Sequence, residues 1–340
     1  MSIDRSNQSL EEPDAIFRKA RKTRATPTLS IVIPCLNEQD VLPELHHRLN
    51  EVCKNSIDGG YEIIFVDDGS SDKTRSIITE LADTDQHIVG VFLARNYGHQ
   101  TALTAGLQYA LGDRVLVIDA DLQDPPELLP KMMQLMDQGA DVVYGQRLSR
   151  NGETFFKKAS ASLFYRVLDK MLDTTIPRDV GDFRLLNRRS LDAFLKMPEH
   201  HRFVRGMVSW LGLRQVPINY HREERTAGQT KYPFRKMMQF AVDAITSFSI
   251  VPLRVASYLG IISSIVSIAL LFYALSSWIT GNTVPGWTSV IVVVLMLGGV
   301  QMLMIGIMGE YIGRTYLEVK RRPLYVVDEI VSRKRIIQDS

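Results

Sequence analysis

From residue 255 to residue 309 the chain carries no Asp, Glu, Lys or Arg, a charge-free run of 55 positions. Within it, residues 255–279 and 287–307 are each long enough to cross a hydrocarbon core of roughly 30 Å. Between them TGNTVPG at 280–286 reads as a polar turn. The expectation is a helical hairpin of two membrane spans. A hairpin buried inside a soluble domain is the alternative, but two uncharged runs of this length exceed ordinary core helices. Arg235, Lys236 and Arg254 precede the first span, and Arg314, Lys320, Arg321 and Arg322 follow the second, while the turn has no basic residue. The positive-inside rule then puts both ends in the cytoplasm, with Trp278 and Trp287 as interfacial anchors at the far side. Gly298, Gly299 and Gly306 allow close helix packing, so a homo-oligomer is expected.

The rest of the composition sets outer bounds. The 340 residues leave room for about two domains. With 40 basic against 38 acidic residues, nothing marks a nucleic-acid partner. Cys35 and Cys53 form no metal-ligand spacing and no disulfide framework, which suits a reducing compartment. The polar segment 1–27 lacks an apolar signal core and reads as a mobile arm. Four further units follow: a cytoplasmic domain at 28–232, a juxtamembrane amphipathic helix at 233–253, the spans at 254–312 and a cytoplasmic tail at 313–340.

The domain at 28–232 alternates strand and helix. TLSIVIPCLNE, EIIFVDDGSSD, IVGVFLARN and RVLVIDADLQD are short β-rich runs. Each leads through a polar turn into a helical pattern, at 39–54, 72–81, 100–111 and 125–138. That order predicts an α/β fold with right-handed βαβ units and a parallel sheet. Three of the four strand ends carry acidic or amide groups: Asn37 and Glu38, Asp67 and Asp68, Asp119 and Asp121. A parallel sheet collects such ends at one edge, where open α/β sheets bind ligands. Hard oxygen ligands there suit Mg²⁺ or Mn²⁺. No GxGxxG follows the first strand and no Walker lysine motif occurs, which removes the support for a dinucleotide oxidoreductase or a P-loop NTPase.

Taken together, PCLNE at 34–38, VDDGSSDKT at 66–74, DADLQDPPE at 119–127, GDFRLL at 181–186 and RTAGQTKYP at 225–233 resemble the inverting family 2 glycosyltransferases that load a sugar onto a polyprenyl phosphate. Dolichyl-phosphate mannosyltransferases form one branch of that group and bactoprenol glucosyltransferases another. The tail IGIMGEYIGRTYLEVKRRPLYVV at 305–327 resembles the bactoprenol branch. The resemblance implies a nucleotide-sugar-binding, Rossmann-like GT-A domain ahead of the two-helix hairpin, in a multi-pass protein of the inner (plasma) membrane. It implies a metal-dependent hexosyltransferase moving glucose from UDP-glucose to undecaprenyl phosphate, with mannose or an aminoarabinose-type sugar as the alternative cargo. A processive polysaccharide synthase shares the donor motifs, but HRFVRGMVSWLG at 201–212 lacks that family's QxxRW signature, and two helices cannot enclose a sugar channel.

Roles come residue by residue from the resemblance. Asp119, Asp121 and Gln123 would hold the divalent ion and the diphosphate, with Asp124 behind them. Pro34, Leu36, Glu38 and Asp67, together with Asp119, would hold the nucleotide sugar, the carboxylates accepting hydrogen bonds from base and ribose. Arg147, Arg184, Arg225 and Lys231 would handle the acceptor phosphate, and Asp121, Arg147 and Arg184 would carry the catalysis. A lipid phosphate is already anionic near neutral pH and needs cations to draw it in more than it needs a strong base. The segment around Gly228 reads as a closing loop. Residues 154–172 and 233–250 mix aromatic and aliphatic faces with Lys and Arg, as interfacial helices do. The topology is open to test: a cysteine at Asn282 should react with an impermeant reagent added outside intact cells, and one at Ser149 should not. The opposite labelling pattern would reverse the orientation.

Overall fold

The computed structural model describes residues 26–148, 177, 180–221, 249–280 and 286–332. Four strands come first, β1 (Leu29–Cys35), β2 (Tyr61–Asp67), β3 (Ile88–Leu93) and β4 (Arg114–Val117). They alternate with helices α1 (Leu42–Ser56), α2 (Thr74–Thr84) and α3 (His99–Tyr109). After β4 a single 3₁₀ turn, Pro126–Leu128, leads into α4 (Leu129–Asp137). The prolines at 125, 126 and 130 suit such a start, because a first-turn residue has no intrahelical N–H partner to lose.

β4, β1, β2 and β3 lie side by side and parallel, as the alternation predicts. The strands are near-continuous apolar runs because helices cover both faces. Ile31, Ile33, Ile63, Phe65 and Leu116 pack under α1 and α4, while Val32, Ile64, Val66, Val115 and Val117 pack under α3. A Cβ at Gly106 of α3 would meet Val32 Cγ1 at 2.3 Å, so only glycine lets this helix approach β1 so closely.

The sheet is larger than four strands. β5 (Val142–Arg147), β6 (Val180–Asn187), β7 (Gln215–Tyr220) and β8 (Val327–Val331) complete the order β7-β5-β6-β4-β1-β2-β3-β8. β6 runs antiparallel to both β4 and β5, and β7 is parallel to β5. β5 and β7 therefore end at the same edge as β1 to β4, and β6 begins there. Helices α5 (Arg188–Leu195) and α6 (Val204–Trp210) add Leu191, Phe194, Val204 and Met207 to the α3 side.

Two helices follow, α7 (Val251–Ile279) and α8 (Trp287–Lys320). Each is long and apolar enough to cross a membrane, and almost none of their apolar surface is buried, which is not how a core helix sits. α8 runs past residue 312, beyond the end that the uncharged pattern gives the second span. The tail does not trail away: β8 pairs antiparallel with β3. The N-terminal arm to residue 25, the segment at 154–172, Arg225, Gly228, Lys231, most of 233–250 and the turn residues 281–285 lie outside the described residues, as do the side chains of Trp278 and Trp287.

Away from the strand ends, one polar cluster pins the lower part of the domain. Asp85 accepts hydrogen bonds from the His87 backbone N–H at 2.9 Å and Asn50 Nδ2 at 3.0 Å, and pairs with His46 Nε2 at 3.0 Å and His87 Nδ1 at 2.8 Å. Tyr61 donates to Asn50 Oδ1 at 2.9 Å and stacks on His87. Burial alone would raise the Asp85 pKa, but these bonds outweigh it and hold the carboxyl well below the usual range. A carboxylate depressed on folding stabilises the protein above its unfolded pKa near 3.9 and loses that contribution as pH falls. Asp85→Ala should cost about 2–3 kcal/mol at neutral pH, the scale of hydrogen bonds to a charged group. It should also flatten the acid limb of stability below about pH 4. Urea denaturation as a function of pH measures both.

Candidate active site

The site is built from the loops and strand termini at the shared edge. Cys35 leads into Leu36, Asn37 and Glu38, β2 ends at Asp67, and β4 is followed by Asp119 and Asp121. β5 ends at Arg147, β7 at Tyr220, and β6 brings Asp182 in from its first residues. Val117 pairs with Arg184 across the antiparallel β4–β6 ladder, which sets Asp182 beside the loop that carries Asp119.

The loops after β1 and β2 are stitched together. Asn37 N–H donates to Ser70 Oγ at 2.9 Å, and Ser71 N–H returns a bond to Asn37 Oδ1 at 2.9 Å. Glu38 N–H donates to Thr74 Oγ1 at 2.9 Å. Pro34 is buried in β1 opposite Val66, whereas Leu36 is exposed at the mouth. Asp67 is buried and accepts from Ser70 N–H at 3.2 Å, and burial raises its pKa. Neither Asp67 nor Asp68 caps the following helix. Asp72 does that local work, accepting from Thr74 N–H at 2.9 Å, while Asp68 accepts from the amides of Tyr97 at 2.7 Å and Gly98 at 2.9 Å.

Three non-glycine residues among those described have positive φ: Asn37 at 56°, Leu122 at 59° and Arg321 at 47°. Two of the three sit in these loops. A left-handed leucine is uncommon and persists only where its surroundings enforce it. Leu122 is held because its side chain is buried in the core under α4, and the turn at 121–124 is fixed by Gln123 N–H donating to Asp121 Oδ1 at 3.2 Å.

Asp119 and Asp182 face each other across His99, the first residue of α3. His99 Nε2 is 3.3 Å from Asp182 Oδ2 and 3.5 Å from Asp119 Oδ1. Burial alone would lower the His99 pKa, but the bond to Asp182 and the two negative charges outweigh it and raise it. Asp119 Oδ1 is itself a buried atom and makes no hydrogen bond among the described residues. Burial pushes this carboxyl up to about 6, opposed by His99 and reinforced by Asp182, Asp124 and Asp121. A buried carboxylate oxygen left without a donor is the environment a cation completes.

Asp182 is the converse case. It receives Arg205 Nε at 3.0 Å and Gln100 Nε2 at 3.0 Å, and lies 3.8 Å from Arg184 Nη2. Burial would raise its pKa, but Arg205, His99 and Arg184 overcome that and hold it well below the ordinary value, so it stays charged. Arg184 departs from the picture of an open phosphate contact. Its side chain is 4% exposed against 26% for Arg147, and it donates to the Gly181 carbonyl at 3.0 Å. It shares a strand face with Asp182, two residues away, and burial brings its pKa down to about 10.

Arg147 is held from the side. Its Nε donates to the Tyr220 hydroxyl at 3.1 Å, its Nη2 is 3.8 Å from Asp124 Oδ1, and that same Asp124 oxygen accepts the Tyr220 hydroxyl. A Cβ at Gly181 would come within 2.5 Å of Arg147 Nη2, so the glycine of GDFRLL makes room for this guanidinium. The edge thus gathers Pro34, Leu36, Glu38, Asp67, Asp119, Asp121, Gln123, Arg147 and Arg184, while Arg225 and Lys231 lie outside the described residues. His99, Gln100, Arg205 and Tyr220 also belong to it and were not singled out from the sequence. The polar run NYGHQ after the third strand was a local signal for the first two. Arg205 and Tyr220 arrive through long-range pairing and had none.

A carboxylate-lined strand edge beside Arg147, Arg184 and Arg205, on a mixed α/β sheet, is the site of a family that sequence similarity identifies. Residues 30–195 match the family described as glycosyl transferase family 2. An uncharacterized glycosyltransferase of Bacillus subtilis (strain 168), YkcC, is 46% identical over 313 residues, covering 91% of this chain and 97% of its own length. A prophage bactoprenol glucosyl transferase homolog of Escherichia coli (strain K12) is 40% identical over 89% of this chain and 99% of its own. The bactoprenol glucosyl transferase of Shigella phage SfII is 40% identical over 88% of this chain and 97% of its own. The chain belongs to glycosyltransferase family 2. Within its site, Tyr220→Phe should cost about 1–3 kcal/mol by stripping a bond from buried Asp124. It should also lower glycosyl transfer by releasing Arg147. Chemical denaturation and turnover of the purified variant read the two effects.

Proposed function

We propose that this protein transfers glucose from UDP-glucose, with inversion, to a polyprenyl phosphate such as undecaprenyl phosphate, at the cytoplasmic face of the inner membrane. The observation that carries the reading is the 40% identity to bactoprenol glucosyl transferases over nearly nine-tenths of the chain. Glucose, rather than mannose or an aminoarabinose-type sugar, is the cargo those relatives favour.

The geometry supports a division of labour. The stitched loops after β1 and β2, with Pro34, Leu36, Glu38 and Asp67, form the nucleotide side. Asp119, Asp121 and Gln123 would hold Mg²⁺ or Mn²⁺, the fit being the buried oxygen of Asp119 that lacks a donor. A bound divalent ion supplies charge neutralisation for the departing diphosphate. Arg147, the more exposed of the two described arginines, meets the acceptor phosphate, and Arg184 adds positive potential from beneath. Arg225 and Lys231 complete the phosphate-handling set. A phosphate monoester is anionic at neutral pH, so these cations align a nucleophile that needs little activation. α7 and α8 anchor the domain, and the Cβ positions of Gly298, Gly299 and Gly306 meet nothing within 4 Å, leaving that stripe of α8 open to a second copy.

The test is sugar transfer from labelled UDP-glucose to polyprenyl phosphate by the purified protein, with GDP-mannose in parallel. Asp121→Asn should reduce turnover roughly a hundredfold or more, the scale of losing a major electrostatic contact, and leave folding intact. EDTA should stop the wild type. Activity undiminished in EDTA removes the metal assignment, and transfer to water alone removes the lipid acceptor.

A further inference from the structure

The connection between α5 and α6, residues 196–203, joins α8 to the catalytic edge. At one end His200 N–H donates to Glu318 Oε1, on the last turn of α8, at 2.7 Å. Within the connection Arg202 lies over the ring of Phe194 and donates to the Met197 carbonyl at 2.7 Å. At the other end Val204 N–H donates to Gln100 Oε1 at 3.0 Å, and the same Gln100 amide holds Asp182 through Nε2. Arg205 comes next with its own bond to Asp182. The short backbone from 200 to 205 is therefore bonded to Glu318 at one end and, through Gln100 and Arg205, to the buried carboxylate of Asp182 at the other.

Past Glu318 the chain is fastened again. The Tyr325 hydroxyl donates to Gln108 Oε1, at the far end of the helix that begins with His99 and Gln100. Ala94 N–H donates to the Val326 carbonyl at 2.9 Å, and Arg75 holds Asp328 at 2.8 Å and Glu329 at 2.9 Å. α8 is thus tied to both ends of α3 and to the sheet edge. The acceptor headgroup is set at a fixed depth by the bilayer, so transfer needs the catalytic edge at a matching height.

We propose that residues 196–205 form a strut that fixes the height and angle of the catalytic edge against α8, with Glu318 as a positioning residue for the membrane-held acceptor. This rests on the lipid phosphate acceptor argued above. Glu318→Ala should raise KM for long-chain polyprenyl phosphate in bilayers about tenfold. Both kcat and KM for the nucleotide sugar should stay put, as should KM for a short-chain, water-soluble prenyl phosphate. Glu318→Gln keeps an acceptor for His200 N–H and should restore KM to within about twofold of wild type. An equal loss on the soluble acceptor, or no change on the bilayer one, overturns the strut. Hydrogen exchange gives a readout independent of the acceptor's identity: amides of 200–205 should exchange faster in Glu318→Ala and normally in Glu318→Gln. Unaltered protection in Glu318→Ala overturns the proposal even if the acceptor proves to be another molecule. Tyr325→Phe, which loosens the second fastening, serves as the alternative variant with the same expected KM split should Glu318→Ala fold poorly.

Discussion

Taking an ionised carboxylate out of water costs several kcal/mol unless cations and hydrogen bonds replace the lost solvation. Asp182, 3% exposed, is such a group. Its replacements come from three elements that are distant in sequence: Arg184 on its own strand, His99 and Gln100 on α3, and Arg205 on α6. None of these elements can move far without leaving the charge exposed to apolar surroundings. The carboxylate therefore clamps together the parallel half of the sheet, which brings the nucleotide-facing loops, and the antiparallel half, which brings Arg147 and Arg184.

Asp119 approaches the same His99 nitrogen and is in the opposite condition. Its buried oxygen finds no hydrogen bond among the described residues, and burial pushes its carboxyl up to about 6. The two carboxylates differ in environment: Asp182 is buried and compensated by Arg205, Gln100, His99 and Arg184, while Asp119 is partly exposed and has His99 Nε2 at 3.5 Å. The positive-φ residues Asn37 and Leu122 fall in the loops around Asp67 and Asp119, and on the Asp182 side the β5–β6 ladder shifts register between Tyr144 and Gln146.

Much of this is legible in the sequence, and the boundary is physical. The strands at 29–35, 61–67, 88–93 and 114–117 declare themselves through runs of β-branched residues followed by polar turns, because each βαβ unit folds on local information. The carboxylates at their ends could be placed at one edge for the same reason. β5, β6 and β7 owe their order to pairing between distant segments, antiparallel at β4–β6 and β5–β6 and parallel at β5–β7, for which VVYGQR and VGDFRLLN carry no partner label. That is why Tyr220 and Arg205 were invisible, and why nothing in the sequence told the buried Arg184 from the more exposed Arg147. β8 was missed because VDEIV is too short and too charged to announce a strand; it becomes one by covering the edge of β3.

That last pairing bears on the order of events at the ribosome. Synthesis runs from the amino end, so seven strands emerge before the apolar hairpin and the eighth only after it. Until then β3 presents unpaired amides and carbonyls, the kind of open edge that invites pairing with other chains. The sheet can be sealed only once α8 has been made and its distal end has returned to the domain. Completion of the catalytic fold is thereby tied to completion of the hairpin, and a nascent chain halted before it carries an unfinished sheet.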